Sequence, residues 1–214
     1  MFLTSFMVSI WYPVYKRRSH DQDLFCPCCC RREIVLDVYG DHAVTCPSGQ
    51  VTATTRHNAT RDALFDFFER SALETENEKR GLLRDGTASK PGDLVVQGWN
   101  IALGDGTCFD VTFVCPVSPS VINASVSHPG SAMENKAQTK ITKYKQQCLD
   151  NQFDSFGAAS PSTLAVLRQL ANYYASHNMC KVDYATTIIH QRISSVVQKA
   201  NGRIFAARDR LLPA

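Results

Sequence analysis

Two aspartates are the residues of this chain whose type and spacing most directly favour phosphate chemistry. Asp93 opens a β-rich segment at residues 93–99, and Asp110 lies inside an alternating segment at residues 108–115. Because Gly-Asp-Gly at residues 104–106 supplies turn residues between them, the two segments are predicted to pair as a hairpin. Two carboxylates that meet at one sheet edge repel each other, and a divalent cation relieves that repulsion. Carboxylate oxygens favour Mg²⁺, so a magnesium site is predicted here.

A lysine-rich helix is predicted after the hairpin, at residues 131–149. Lys136, Lys140 and Lys143 lie on it. Lys140 or Lys143 is expected to reach the same sheet edge and polarise a phosphate. Taken alone, this set of residues is weak evidence, because strand-end aspartates commonly form turns and lysine-rich helices are commonly solvated.

Cysteine content is the main departure from an average composition. Five of the nine cysteines fall within 21 positions, together with a histidine. The pairs Cys26-x2-Cys29 and His42-x3-Cys46 supply three thiolates and one imidazole, the ligand set of a closed structural Zn²⁺ site. Three alternatives stay open: Cys28 or Cys30 in place of Cys29, and His57 as a competing ligand. Clustered cysteines in odd number indicate a reduced protein, so a nuclear or cytoplasmic location is expected and secretion is not.

Length and composition indicate a folded chain of one ordinary domain, or of one domain with an appendage. The 214 residues are 44% hydrophobic and 20% charged, which excludes a disordered tail and a membrane bundle. The net charge of +3 is too small to identify a nucleic-acid partner by itself. The apolar N-terminal run lacks the basic region and cleavage site of a signal peptide and is too short to span a bilayer.

Sequence patterns divide the chain into four parts: an apolar lead (1–25), a Cys/His zinc module (26–58), an α/β core (59–158) and a C-terminal helical extension (159–214). A helix is predicted at residues 59–73, with Leu64, Phe67 and Phe68 facing the core and Arg61 on the surface. The extension is predicted to hold two helices, one starting at Ser160-Pro161 and one at about residues 183–212. Basic side chains share one face of the last helix: Arg192, Lys199 and Arg203.

The order of these motifs resembles the restriction-endonuclease-like domain of site-specific non-LTR retrotransposons, within the wider PD-(D/E)xK nuclease superfamily. The motifs that carry the resemblance are Cys-Pro-x-Cys (26–29), Gly-Asp-His-Ala-Val-Thr-Cys (40–46), Arg-His-Asn (56–58), Lys-Pro-Gly-Asp (90–93), Phe-Asp-Val-Thr (109–112) and Lys-Ile-Thr-Lys-Tyr (140–144). The resemblance covers roughly residues 20–150. Their shared order is specific, although no single motif is.

The resemblance implies a mixed α/β nuclease core that follows a zinc module. It makes Asp93 and Asp110 the Mg²⁺ ligands, with the backbone carbonyl of Val111 as a third oxygen. Lys140 becomes the favoured catalytic lysine, ahead of Lys143. It further implies an acid from the preceding strand or helix, Glu78 or Glu76, and a role for Arg56 and His57 in bracing the site or contacting phosphate.

The function that the resemblance implies is Mg²⁺-dependent endonucleolytic cleavage of double-stranded DNA at a specific site, of homing or retroelement type. The basic face formed by Arg192, Lys199 and Arg203 would contact the duplex backbone. The alternative for that face is a protein-docking or dimerisation surface. Cleavage of both strands requires two active sites, so a homodimer is plausible. No membrane partner is expected.

Three features depart from the pattern and favour an alternative function. Gly92 inserts one residue before the first acid, and Thr112 stands where the superfamily usually has its lysine. After Cys148, the chain is short where the core needs another strand, which is expected to be truncated or supplied by residues 1–25. The alternative is a zinc-stabilised DNA-binding or targeting module whose nuclease site has decayed.

Overall fold

Four strands and five helices make up the part of the chain that the computed structural model describes: residues 26, 42, 46, 50–78, 92–99, 107–114, 122–128, 131–144, 149–154 and 159–209. The helices are α1 (Gln50–Arg70), α2 (Ile122–Ser127), α3 (Ser131–Tyr144), α4 (Pro161–His177) and α5 (Val182–Asp209). The strands are β1 (Thr75–Asn77), β2 (Leu94–Val96), β3 (Thr107–Val114) and β4 (Leu149–Asp154). Within these ranges, no helix combines the length and apolar character needed to cross a bilayer.

The four strands form one mixed sheet in the order β1-β2-β3-β4. The predicted hairpin is confirmed: β2 and β3 are antiparallel, with Leu94 opposite Phe109. Strand β1 is antiparallel to β2, whereas β4 runs parallel to β3, with Phe109 opposite Leu149. A parallel neighbour requires a crossover connection, and α2 and α3 supply it between β3 and β4. The architecture is therefore mixed α/β, as predicted at that level.

Strand β4 corrects the prediction for the residues after Cys148. The helix predicted to reach residue 149 ends at Tyr144, and Leu149–Asp154 pairs with β3 along its whole length. The expectation of a missing or truncated strand is wrong, because this polar hexapeptide supplies one. Its sequence gave no strand signal, since its strand conformation depends on pairing with β3 and on packing against α3 and α4.

An aromatic cluster fixes α1 over the sheet. Phe68 of α1 lies 5.0 Å from Phe109 of β3, centroid to centroid, and Trp99 contacts both rings at 5.1–5.4 Å. Phe68, Phe109 and Leu64 are completely buried, which confirms the predicted core face of this helix. Such edge-to-face and tilted aromatic pairs add about 0.5–1.5 kcal/mol each beyond the area they bury. The helix therefore has a fixed position from which to present polar side chains to the strand ends.

Helix α1 begins at Gln50, nine residues before the predicted start at residue 59. Arg56 and His57, which were assigned to the zinc module, consequently lie within α1. The prediction of Arg61 as a surface residue is wrong, because its side chain is only 16% exposed.

The two C-terminal helices agree with the prediction in position. Ser160 caps α4 by accepting a hydrogen bond from the Thr163 N–H at 3.2 Å. Leu167 and Leu170 of α4 are buried, whereas Leu164 is exposed. Helix α5 packs on α1 and α4 through a buried face: Ile189, Ile193, Val197, Ala200 and Ile204. Arg192, Lys199 and Arg203 are exposed on α5.

Candidate functional site

Asp93 forms hydrogen bonds with the two residues of β3 that flank Asp110. Its backbone N–H donates to the Phe109 carbonyl oxygen at 2.8 Å, and its carboxylate Oδ2 accepts from the Val111 N–H at 2.6 Å. Asp93 thus bonds the residue before Asp110 and the residue after it. The two acids, 17 positions apart in sequence, are neighbours at the start of β2.

Gly92 makes this approach possible. A Cβ at position 92 would lie 2.7 Å from the Phe109 carbonyl oxygen and 2.5 Å from the Cys108 Sγ. Contacts this short do not occur for real side chains, so the position requires glycine. The glycine inserted before Asp93 is therefore explained by the close packing of this segment on β3.

His57 joins the two acids to α1. Its Nε2 lies 3.0 Å from Asp93 Oδ2, and the two side chains are 31% and 15% exposed. The hydrogen bond to Asp93 raises the pKa of His57 above 6.5, opposed by burial, and the negative charges of Asp93 and Asp110 raise it further. His57, Asp93 and Asp110 therefore form one electrostatic group.

Thr112 holds the second acid. Asp110 and Thr112 lie on the same face of β3, and the Thr112 hydroxyl donates to Asp110 Oδ2 at 3.0 Å. Thr112 is buried, so a cationic residue at this position would have to lose its hydration.

Glu78 also adjoins the acidic pair. Its N–H donates to the Asp93 carbonyl oxygen at 2.8 Å, and its carboxylate accepts from Arg61 Nη1 at 3.2 Å. Glu76, the other predicted acid, lies in β1 opposite Val95. Sequence reasoning missed Arg61. Its spacing of four residues from His57 on one helix was the signal that could have identified it.

Arg56 is buried at 5% exposure between three elements. Its Nη1 donates to Asn201 Oδ1 of α5 at 3.1 Å, and its guanidinium lies 4.8 Å from the Phe113 ring of β3. Two roles were expected for Arg56, bracing the site and contacting phosphate. These contacts favour the first.

The predicted lysines lie on α3, which packs against β3 and β4. Lys136 is exposed. The side chains of Lys140 and Lys143 lie outside the described part of the structure, so their reach toward the acids stays a prediction.

Cys26, His42 and Cys46 form a candidate metal centre. Their ligand atoms all lie within 4.8 Å of one another, the one such group of three or more among the described residues. The Cys26 and Cys46 sulfurs are buried and 3.7 Å apart, too far for a disulfide. Two thiolates bound at about 2.3 Å to one tetrahedral zinc lie roughly 3.8 Å apart. The donor set therefore fits a metal such as zinc. Cys28, Cys29 and Cys30 lie outside the described residues.

No protein-family model matches the chain, and no curated protein matches it.

Proposed function

We propose that this protein is a Mg²⁺-dependent endonuclease that hydrolyses phosphodiester bonds of double-stranded DNA. The observation that carries the proposal is the position of Asp93, whose bonds to Phe109 and Val111 flank Asp110. Two carboxylates that are distant in sequence and adjacent in space are the donor set expected for a hard divalent cation.

The residues around the pair are suited to holding such a cation. Asp93 and Asp110 would be its ligands, with the Val111 carbonyl as the proposed third oxygen. Bound there, Mg²⁺ would lower the pKa of a coordinated water and neutralise charge on the phosphate. The contribution of the chain is orientation: the Val111 N–H fixes Asp93, and the Thr112 hydroxyl fixes Asp110.

A lysine from α3 is proposed as the cationic group of the reaction. Because Thr112 occupies the strand position where the resemblance places a lysine, the positive charge has to come from another element. Helix α3 connects β3, which carries Asp110, to β4 and packs on both strands. Lys140, or Lys143 after it, would offset the negative charge that develops on the phosphate oxygens.

DNA binding is proposed for the Cys/His zinc module (26–58) and for the exposed basic residues of α5, which are Arg192, Lys199 and Arg203. Neutralising Arg192 or Lys199 with glutamine should weaken binding and reduce the slope of log affinity against log salt by about 0.9 per charge. Arg168→Gln on α4 is the matched control, since Arg168 is also exposed. Equal effects of all three changes would argue against a specific role for α5.

The alternative, a zinc-stabilised DNA-binding module with a decayed site, is favoured by one observation. Both acids already have protein partners, because His57 contacts Asp93 and Thr112 contacts Asp110. These partners compete with a cation for the carboxylate oxygens. In this alternative, the protein binds DNA and cuts none.

A plasmid-nicking assay with Mg²⁺ or Mn²⁺, run beside a DNA-binding assay, separates the two functions. The wild type should nick supercoiled plasmid, while Asp93→Asn and Asp110→Asn should each lose about 100-fold or more in rate and still bind DNA. Asp66→Asn is the matched control, because Asp66 is a more exposed α1 acid paired with Arg70. A wild type that binds but never cuts supports the alternative. Unimpaired cutting by the double variant would show that the acids are wrongly assigned.

A further inference from the structure

Helix α1 presents two basic side chains to the acidic site. His57 and Arg61 are one helical turn apart on the same face of α1. His57 contacts Asp93, and Arg61 contacts Glu78, the residue whose N–H bonds the Asp93 carbonyl. Two residues of α1 therefore hold the segment at the start of β2, His57 by direct contact with Asp93 and Arg61 through Glu78.

Arg61 is itself held in a fixed direction. Its Nε and Nη2 donate to Asp62 Oδ1 at 3.0 and 2.7 Å, which leaves Nη1 directed at Glu78 Oε1 at 3.2 Å. The side chain is 16% exposed, whereas Asp62 and Glu78 are 59% and 42% exposed. The guanidinium belongs to the least exposed side chain of this group and therefore suits an anchoring role.

Glu78 adopts a backbone conformation that needs such an anchor. Its φ of 47° lies in the left-handed region, which is uncommon for a residue with a side chain like that of glutamate. In this conformation its N–H points at the Asp93 carbonyl oxygen, 2.8 Å away. A residue in a disfavoured conformation keeps it only when neighbouring contacts hold it there.

We propose that Arg61 is a positioning residue of the acidic site: by holding Glu78, it fixes the backbone segment that aims Asp93 at the cation. The inference rests on the proposed function, since it concerns the same site. Loss of the Arg61 contact lets Glu78 relax, and the Asp93 carbonyl then loses its hydrogen bond. The carboxylates become less well oriented, so metal affinity falls while the maximal rate at saturating metal stays close to that of the wild type.

The test compares Arg61→Gln with Arg70→Gln, the matched control from the same helix. Arg70 is ion-paired to Asp66 and is 61% exposed. Binding of Mn²⁺ is measured by titration calorimetry on protein whose cysteine site is loaded with zinc, with the Asp93→Asn, Asp110→Asn double variant as the blank. Arg61→Gln should weaken Mn²⁺ binding roughly threefold to fivefold, within the upper limit set by an ion pair whose carboxylate is 42% exposed. Arg61→Lys should recover part of it, and Arg70→Gln should match the wild type.

Unfolding temperatures measured in parallel distinguish positioning from general stabilisation. If Arg61→Gln lowers the unfolding temperature and binds Mn²⁺ like Arg70→Gln, the inference is overturned while the proposed function stands. If the wild type gives no Mn²⁺ signal above the blank, the proposed function fails and the inference fails with it.

A milder variant keeps the test decisive if Arg61→Gln does not fold. Glu78→Gln retains an oxygen that accepts from Arg61 and removes only the charge. It should therefore bind Mn²⁺ more tightly than Arg61→Gln, or than Arg61→Lys if only that variant folds. If Glu78→Gln loses as much Mn²⁺ affinity as the Arg61 variant, or more, the inference that Arg61 acts by positioning Glu78 is overturned. The charge of Glu78 would then itself be the important feature.

Discussion

Replacing Asp93 with alanine tests the contacts that place this acid beside Asp110, independently of any catalysis. The Asp93 carboxylate accepts from the Val111 N–H at 2.6 Å and lies 3.0 Å from His57 Nε2. Val111 is only 2% exposed, so water has little access to the N–H that alanine would leave unpaired. The variant should therefore unfold more easily than the wild type, although most changes that remove one of two like charges relieve repulsion.

The expected loss follows from these contacts. A hydrogen bond to a charged acceptor contributes about 1.5–3 kcal/mol, and the partly exposed His57 pair adds at most about 1 kcal/mol. Asp93→Ala should thus lower the free energy of unfolding by about 2–3 kcal/mol, or about 4–12 °C in unfolding temperature for a chain of this size. Asp93→Asn keeps an acceptor for the Val111 N–H and should lose roughly 1 kcal/mol. Asp110→Asn keeps an acceptor for Thr112 and relieves repulsion, so its change should be close to zero.

Urea unfolding followed by circular dichroism measures these differences. The buffer should contain neither added Mg²⁺ nor a chelator, so that the cysteine site keeps its metal and the acid site has none. The order of stability expected is Asp110→Asn above Asp93→Asn above Asp93→Ala. An Asp93→Ala variant as stable as Asp110→Asn would refute the structural role assigned to Asp93.

Three further predictions follow from the same structure. In the absence of added Mg²⁺, NMR titration of His57 should give a pKa above its ordinary 6.5, and Asp93→Asn should lower that pKa. Because the pKa of His57 is raised in the folded state, the His57–Asp93 pair contributes its full stability below about pH 6.5 and loses it as the pH rises through the folded-state pKa. His57→Gln should abolish this pH dependence of the free energy of unfolding. Cys46→Ser should reduce the zinc content measured by mass spectrometry and lower the unfolding temperature, whereas unchanged zinc would exclude Cys46 as a ligand. Phe68→Ala should lower the free energy of unfolding by about 3–5 kcal/mol, and a loss below 1 kcal/mol would contradict its place in the core.

The sequence predicted those elements whose apolar residues follow a clear period. Leu64, Phe67 and Phe68 identified the core face of α1, and the alternation in residues 108–115 identified β3. The first turns of α1 escaped prediction because the buried residue described there, Arg56, is polar. Arg56 is held inside the protein by Asn201, 145 positions away. No local pattern reports a partner that distant.

In the candidate site, too, the features set by local sequence were predictable and those set by distant contacts were not. Spacing and turn residues were enough to predict that Asp93 and Asp110 belong to one hairpin, and the register of β2 and β3 agrees. The contact of Arg61 with Glu78 was not predictable, because it depends on how α1 lies over β1. Strand β4 was missed for a related reason, since Leu-Asp-Asn-Gln-Phe-Asp has little strand propensity of its own.

Anomalous diffraction from a crystal soaked in Mn²⁺ tests the central claim most directly. The account predicts one strong manganese peak within roughly 2.1 Å of a carboxylate oxygen of both Asp93 and Asp110, absent from the Asp93→Asn, Asp110→Asn double variant. Two acids that stay bonded only to His57 and Thr112, with no manganese between them even when DNA is bound, would contradict it.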